Sequence, residues 1–428
     1  MKSKSQQSLQ PLSLRRNFSW TFVGNMVYAA CQWGILVTLT KLGSPEMVGQ
    51  FTLGLAVTSP VFLFSNLQLR TLMATDAKQE YHFGDYLGLR LVTVFLALLV
   101  ILGLTFAVGY HENTALIILI FGLAKAIESI SDIFYGFLQQ HERMDRIAKS
   151  MIMKGLLSLM AVGSAIYFTG NVVWAVVALC AAWVLILLGY DIFSHNLIKI
   201  HRLHIHSDNN VRKIRFEAQP RWHLKKLTKL ILLGLPLGFV MMLISLDGNI
   251  PRYFIESYLG QRELGIFAAI AYLQVASNTL VLALGESAVP RLAKYYASSN
   301  HLAFRKLVLK LISIVTLLGI GGVLVAVVGG QQILSLIYKP EYAENSNLFV
   351  GIMVAAAIGY IASIFGYAAT ARQQIRYQPV ILGAVGIVSL ITCFYLIPIY
   401  GLWGAIAATN ATSVVSTVGY SLLLVFKR

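Results

Sequence analysis

Charge is scarce in this chain. Only 12% of its 428 residues are Asp, Glu, Lys or Arg, against about 25% in an ordinary soluble domain. Acid is scarcest: 18 Asp and Glu stand beside 34 Lys and Arg, for a formal net charge of +16. Hydrophobic residues make up 57% of the chain and the mean hydropathy is +0.70. A water-soluble fold could not cover that much apolar surface, so the solvent is lipid. In a lipid-embedded chain the positive charge speaks first about topology, and no nucleic-acid partner is expected.

Cysteine is nearly absent too. Cys31, Cys180 and Cys393 each lie inside an apolar run, and their number is odd. That argues against a disulfide framework or a zinc site and for packing. There is no Gly-rich phosphate loop of the GxxxxGK[ST] type and no HExxH, so neither an ATPase domain nor a zinc hydrolase of that type is expected. No polar stretch is large enough for a glycosyltransferase domain, which leaves little room for enzyme chemistry. No cofactor or metal is expected. The start, MKSKSQQSLQPLSLRRNFSW, is polar and basic, and the apolar run after it is too long for a signal peptide.

What is present is a series of long apolar runs. A helix needs about 20 apolar residues to cross the hydrocarbon layer. Twelve such runs centre near Ala30, Val57, Ala97, Leu123, Ala161, Leu179, Met242, Gln274, Val315, Ala355, Ile387 and Ser413. With both termini in the cytoplasm, 29 of the 34 Lys and Arg fall in cytoplasmic segments. The outer connections hold Lys41, Arg262 and Lys339, and Lys125 and Arg252 remain inside helices. So strong a bias supports twelve spans.

A short echo refines this. KLGSPEMVGQF (Lys41 to Phe51) and YLGQRELGIF (Tyr258 to Phe267) both read Leu-Gly, a polar turn with Glu, an apolar residue, Gly, any residue, Phe. The first joins spans 1 and 2 and the second joins spans 7 and 8. Six crossings return the chain to its starting side, so the echo marks a parallel repeat of two six-helix bundles. The expected fold is therefore an all-α polytopic membrane protein. Residues 1–194 form the first bundle, 195–228 a basic cytoplasmic connection, and 229–428 the second bundle. Two such bundles facing each other across a cleft is transporter architecture.

The embedded polar residues are the site candidates. In span 4, Lys125, Glu128 and Asp132 fall at i, i+3 and i+7, on one helical face. Charges in a membrane helix are costly and usually face a bundle interior or a water-filled cavity. A cavity-lining stripe and a self-neutralising Lys–Glu pair both fit. In span 7, Asp247, Asn249 and Arg252 surround Pro251, a candidate kink and hinge because proline removes a backbone donor. Arg252 could hold a phosphate by paired hydrogen bonds, or pair with Asp247. Asn25 and Gln32 in span 1 and Gln274 and Asn278 in span 8 are interhelical hydrogen-bonders or substrate contacts. The Gly234-Leu-Pro-Leu-Gly238 pattern reads as helix contact. The histidines from His195 to His206 lie among Lys, Arg and Ile, which suits a basic segment on anionic lipid better than a metal site.

Two segments carry a resemblance. KAIESISDIFYGFLQQHERMDRIAKSMIMKG (Lys125 to Gly155) and GLPLGFVMMLISLDGNIPRYFIESYLGQRELGIFAAIAYL (Gly234 to Leu273) resemble the bacterial polysaccharide flippases, the Wzx-like family. That family belongs with the multidrug and oligosaccharidyl-lipid exporters, the MATE-like superfamily, whose fold is two six-helix bundles. The resemblance implies a multi-pass protein of the bacterial cytoplasmic membrane that moves undecaprenyl-pyrophosphate-linked oligosaccharide (an O-antigen, exopolysaccharide or capsule unit) from the inner to the outer leaflet. It implies alternating access, with Lys125 and Arg252 meeting the pyrophosphate and the embedded acids coupling a proton or Na⁺ gradient. Other polysaccharide-assembly membrane proteins are its implied partners. The alternative is a cation-coupled drug or metabolite antiporter of the same fold. A peptidoglycan-precursor flippase usually carries further helices beyond twelve, and a polymerase or ligase needs a large outer loop.

Overall fold

The computed structural model describes residues 12–76, 78–197 and 219–426. All regular structure among these residues is helical. Lipid offers no partner to a backbone N–H or C=O, so each crossing segment must satisfy its own, as a helix does. The chain runs α1 (Leu14–Leu42), α2 (Pro45–Ser65), the short α3 (Leu69–Thr75), α4 (Phe83–Val108), α5 (Glu112–Gln140), α6 (Met144–Thr169) and α7 (Val172–Ile186), which passes into a π turn at Leu187–Asp191. It continues with α8 (Leu224–Leu259), α9 (Gln261–Tyr272), α10 (Gln274–Ala297), α11 (His301–Ile337), the single turn α12 (Pro340–Ala343), α13 (Ser346–Ala371), α14 (Gln378–Tyr400) and α15 (Leu402–Phe426).

Eleven of the described helical segments are long and apolar enough to cross a membrane, and α9 with α10 makes a twelfth, bent by 47°. The helix ends follow local chemistry. Asn171 accepts from the Val173 N–H at 2.8 Å and Asn300 from that of Ala303 at 3.0 Å, filling donors that a helix start leaves open. Gly170 closes α6 at φ +59°, a left-handed position that glycine adopts without a Cβ penalty.

The chain gathers into two compact units. One comprises Met1–Thr38 and Val57–Met242, the other Leu39–Ala56 and Leu243–Arg428. These bounds differ from the two six-helix halves because α1, α2 and α8 each give one end to each unit. Gly234 and Gly238 lie in the first unit. A Cβ at either would come within 2.6 Å of a backbone oxygen, of Leu67 and Phe64 respectively. The small-residue pattern of span 7 is thus a helix contact, as expected.

Some expectations shift. Helix α8 runs through Pro251 as one helix, and a bend of 47° lies between α9 and α10. Arg90 and Lys154, expected in cytoplasmic connections, lie inside α4 and α6 and are 0% and 2% exposed. The expected basic connection at 195–228 falls mostly outside the described residues, with His201, His204 and His206. His195 is described: it is buried, its ring 4.3 Å from that of Phe83 and 4.4 Å from that of Phe137.

Candidate functional site

In the first unit, α5 is the spine of a charged network. Residues three apart on a helix are neighbours, and the Lys125 Nζ donates to Glu128 Oε2 at 2.7 Å. The Tyr28 hydroxyl donates to the other Glu128 oxygen at 3.5 Å. One turn further, Asp132 turns to different partners: Arg70 at 3.3 Å and Arg90 at 3.5 Å. The stripe read from the sequence is therefore two sub-sites, one around Glu128 and one around Asp132.

Sequence reasoning missed the deepest members. The Lys154 ammonium lies 5.2 Å from the centre of the Tyr135 ring and 5.9 Å from that of Trp183. Lys125 lies 5.7 Å from the centre of the same indole. Cations are drawn to the negative faces of such rings. Trp183 is held in place by its N–H, which donates to Ser158 at 2.9 Å. Lys154 makes no ion pair within 4.0 Å among the described residues. Asp191, at the π turn, is fully buried and accepts from Ser150 at 2.5 Å; Ser150 also bonds the Tyr135 hydroxyl at 2.7 Å. Its second oxygen has no hydrogen-bond partner. The signal for Lys154 was visible: apolar residues flank it in SMIMKGLLSLMA.

In the second unit, Arg252 donates to the Asn249 side chain at 2.8 Å, and Asn249 donates to the Ser245 carbonyl at 2.8 Å. The Arg252 Nε is buried with no partner. Asp247 is half-buried and forms neither an ion pair nor a hydrogen bond among the described residues. The Asp247–Arg252 pair that the sequence allowed is not made. Pro251 is buried, Gln274 opens α10 half-buried, and Asn278 is exposed on the same helix. Asn25 is exposed and Gln32 half-buried on the part of α1 that belongs to the first unit. The candidates thus fall into two sets. Lys125, Glu128, Asp132, Asn25 and Gln32 belong to the first unit. Asp247, Asn249, Pro251, Arg252, Gln274 and Asn278 belong to the second.

The echoed motifs meet in the second unit. A Cβ on Gly49 would lie 1.9 Å from the carbonyl oxygen of Gln261, and one on Gly265 would lie 1.9 Å from that of Pro45. The Gln50 amide donates to the Gln261 side chain at 2.9 Å. Arg262 bonds Glu341 and lies 3.6 Å from Glu46 and 3.5 Å from Glu263. Each echo supplies the glycine that lets the other helix approach.

Residues 14–296 match the family described as Polysaccharide biosynthesis protein. The capsular polysaccharide biosynthesis protein CapF of Staphylococcus aureus is 29% identical over 408 residues, covering 95% of this chain and 98% of CapF. Among solved structures, an inward-facing multidrug-resistance MATE transporter of the MOP superfamily aligns with a TM-score of 0.71 at 12% identity, over 94% of this chain and 97% of that one. The lipid II flippase MurJ, in an inward closed conformation, aligns with a TM-score of 0.73 at 10% identity, over 95% and 87%. The chain therefore belongs to the polysaccharide biosynthesis protein family, as a multi-pass bacterial inner-membrane protein with the fold seen in MATE transporters and MurJ.

Proposed function

We propose that this protein translocates an undecaprenyl-pyrophosphate-linked oligosaccharide from the inner to the outer leaflet of the cytoplasmic membrane by alternating access. Family membership and the likeness to CapF support a role in polysaccharide assembly. The observation that carries the reading is the convergence of Lys125 and Lys154 on the Trp183 ring. Within a membrane helix an ammonium is costly unless something uses its charge. Glu128 neutralises one of the two lysines. The other, Lys154, makes no direct ion pair among the described residues; Asp191 and Glu128 act on it from further away, and its ammonium remains open to a ligand that brings its own negative charge, as a pyrophosphate does. The isoprenoid tail needs no protein path, because it can remain in lipid while the sugars pass.

This pairing adds Lys154 beside Lys125 to the site expected from the resemblance, in which Arg252 of the second unit, bonded to Asn249, remains a candidate. Lys125→Gln and Lys154→Gln should each lower flipping at least tenfold, and together at least a hundredfold, with normal membrane insertion. The check is the amount of complete lipid-linked unit facing the cytoplasm in cells that depend on the variant. A double variant that inserts normally and flips at the wild-type rate would remove the charge-guided reading.

We infer that a proton or Na⁺ gradient drives the cycle through the acids Glu128 and Asp247, with Asp247 the foremost because it makes no ion pair or hydrogen bond among the described residues. Collapsing both gradients in the same cells should halt flipping. Continued flipping at full rate would exclude this coupling.

A further inference from the structure

The second unit holds a recess with no charged side chain in its lining. It is formed by α11, the start of α13 and the start of α15, and has a volume of about 520 Å³. Small-molecule sites run to about 300–1,000 Å³. Its polar lining is Gln331, Gln332, Ser346 and Asn347; its aromatic wall is Trp403. None of the four polar side chains makes a hydrogen bond among the described residues. No Lys, Arg, His, Asp or Glu lines the recess.

Two glycines shape it. A Cβ on Gly330 would meet the Ser346 Cβ at 3.8 Å, so α11 lies close to α13 and brings its glutamines beside Ser346 and Asn347. A Cβ on Gly351 would come 3.4 Å from the Trp403 indole. The bare backbone there lets the indole lie against α13. Val328 is 79% exposed and Trp403 51%, so the recess opens at the surface of the second unit.

The chemistry of this lining is selective. Side-chain amides offer donors and an acceptor together, which matches a hydroxyl, itself both donor and acceptor. An indole presents a flat apolar face with a polar edge, which suits the C–H face of a sugar ring. With no cation in the lining, nothing is built to hold a phosphate or carboxylate. The charge bias puts Lys339, two residues past α11, on the outer side. A sugar tethered to a membrane lipid on that side sits at headgroup depth with its tail in the bilayer, within reach of a recess near that end of α11.

We propose that this recess binds an uncharged sugar ring of the membrane-tethered glycan on the outer side, as a holding site separate from the Lys125–Lys154 site. The identity of the glycan rests on the flippase reading; the affinity for neutral sugar does not. The test uses full-length protein in phosphatidylglycerol nanodiscs, with free maltose and N,N′-diacetylchitobiose as probes, followed by saturation-transfer NMR. The expected result is saturable transfer to at least one disaccharide. That transfer falls at least tenfold in Gln332→Ala and on capping Asn347→Cys with a bulky maleimide after folding. It persists in Lys125→Gln/Lys154→Gln. Absence of saturable transfer overturns the proposal, as does transfer unchanged by capping or lost in the lysine variant. Full competition by diglucosyl-diacylglycerol added to the nanodiscs would make the occupant a resident glycolipid and overturn the assignment to the transported glycan. If the lysine variant still flips while capping removes sugar binding, the flippase site is wrong and this recess stands.

Discussion

Gly265→Ala is expected to lower both the thermal inactivation temperature in detergent and the flipping rate, and Gly265→Val to do so more strongly. The new Cβ would lie 1.9 Å from the Pro45 carbonyl oxygen, well inside contact distance. The obstacle is backbone, so no side-chain rotation relieves it and the helices must part. Overpacking of this kind costs about 1–3 kcal/mol, occasionally more. Gly49→Ala should behave alike, because its Cβ would strike the Gln261 carbonyl at the same distance. The double variant should cost less than the sum of the singles, since one separation of α2 from α9 accommodates both and contacting sites are not additive. If this crossing opens and closes during transport, the variants will also expose Gln50→Cys to water-soluble thiol reagents from outside. Gly265→Val with wild-type stability and flipping would mean the crossing is not a structural constraint.

The second large effect is on stability. Asp132→Ala should destabilise the protein by about 3–5 kcal/mol, the range for stranding a buried charge. Arg90 is fully buried, and its Nε and one terminal nitrogen have no hydrogen-bond partner. Its guanidinium rests on Asn66 and on the Asp132 carboxylate at 3.5 Å. Arg70, the other partner of Asp132, is about a third exposed and can turn to water. Arg90→Met/Asp132→Leu should recover much of the loss, since an apolar pair of similar volume avoids the desolvation cost. The measurement is the midpoint of thermal inactivation for the three proteins. An unchanged midpoint in Asp132→Ala would show that Arg90 finds its counter-charge elsewhere. The expected outcome places Asp132 in the scaffold, apart from its neighbour Glu128.

Much of this was legible in the sequence. The apolar runs near Ala97, Leu179 and Val315 became α4, the α7 span and α11. The Gly43 and Gly260 echoes identified spans 1, 2, 7 and 8 before any coordinate. What the echo meant was not legible: the two motifs pack on each other through Gly49 and Gly265. Lys125, Glu128 and Asp132 share one face, as spacing required, but spacing did not divide them. Asp132 chooses Arg70 and Arg90, 62 and 42 positions earlier in the chain, and no local pattern encodes such a choice.

The sequence by itself determined that this protein lives in lipid, that it crosses about twelve times and that it repeats a hairpin motif. Hydropathy and charge bias are one-dimensional quantities, and they fix depth and order along the chain. The tertiary structure decided which charges meet. Arg90 and Lys154 look like loop cations to a hydropathy count, because a single charge ends an apolar run on paper. In the folded protein a carboxylate from another helix, or the face of an indole, lets that charge remain inside.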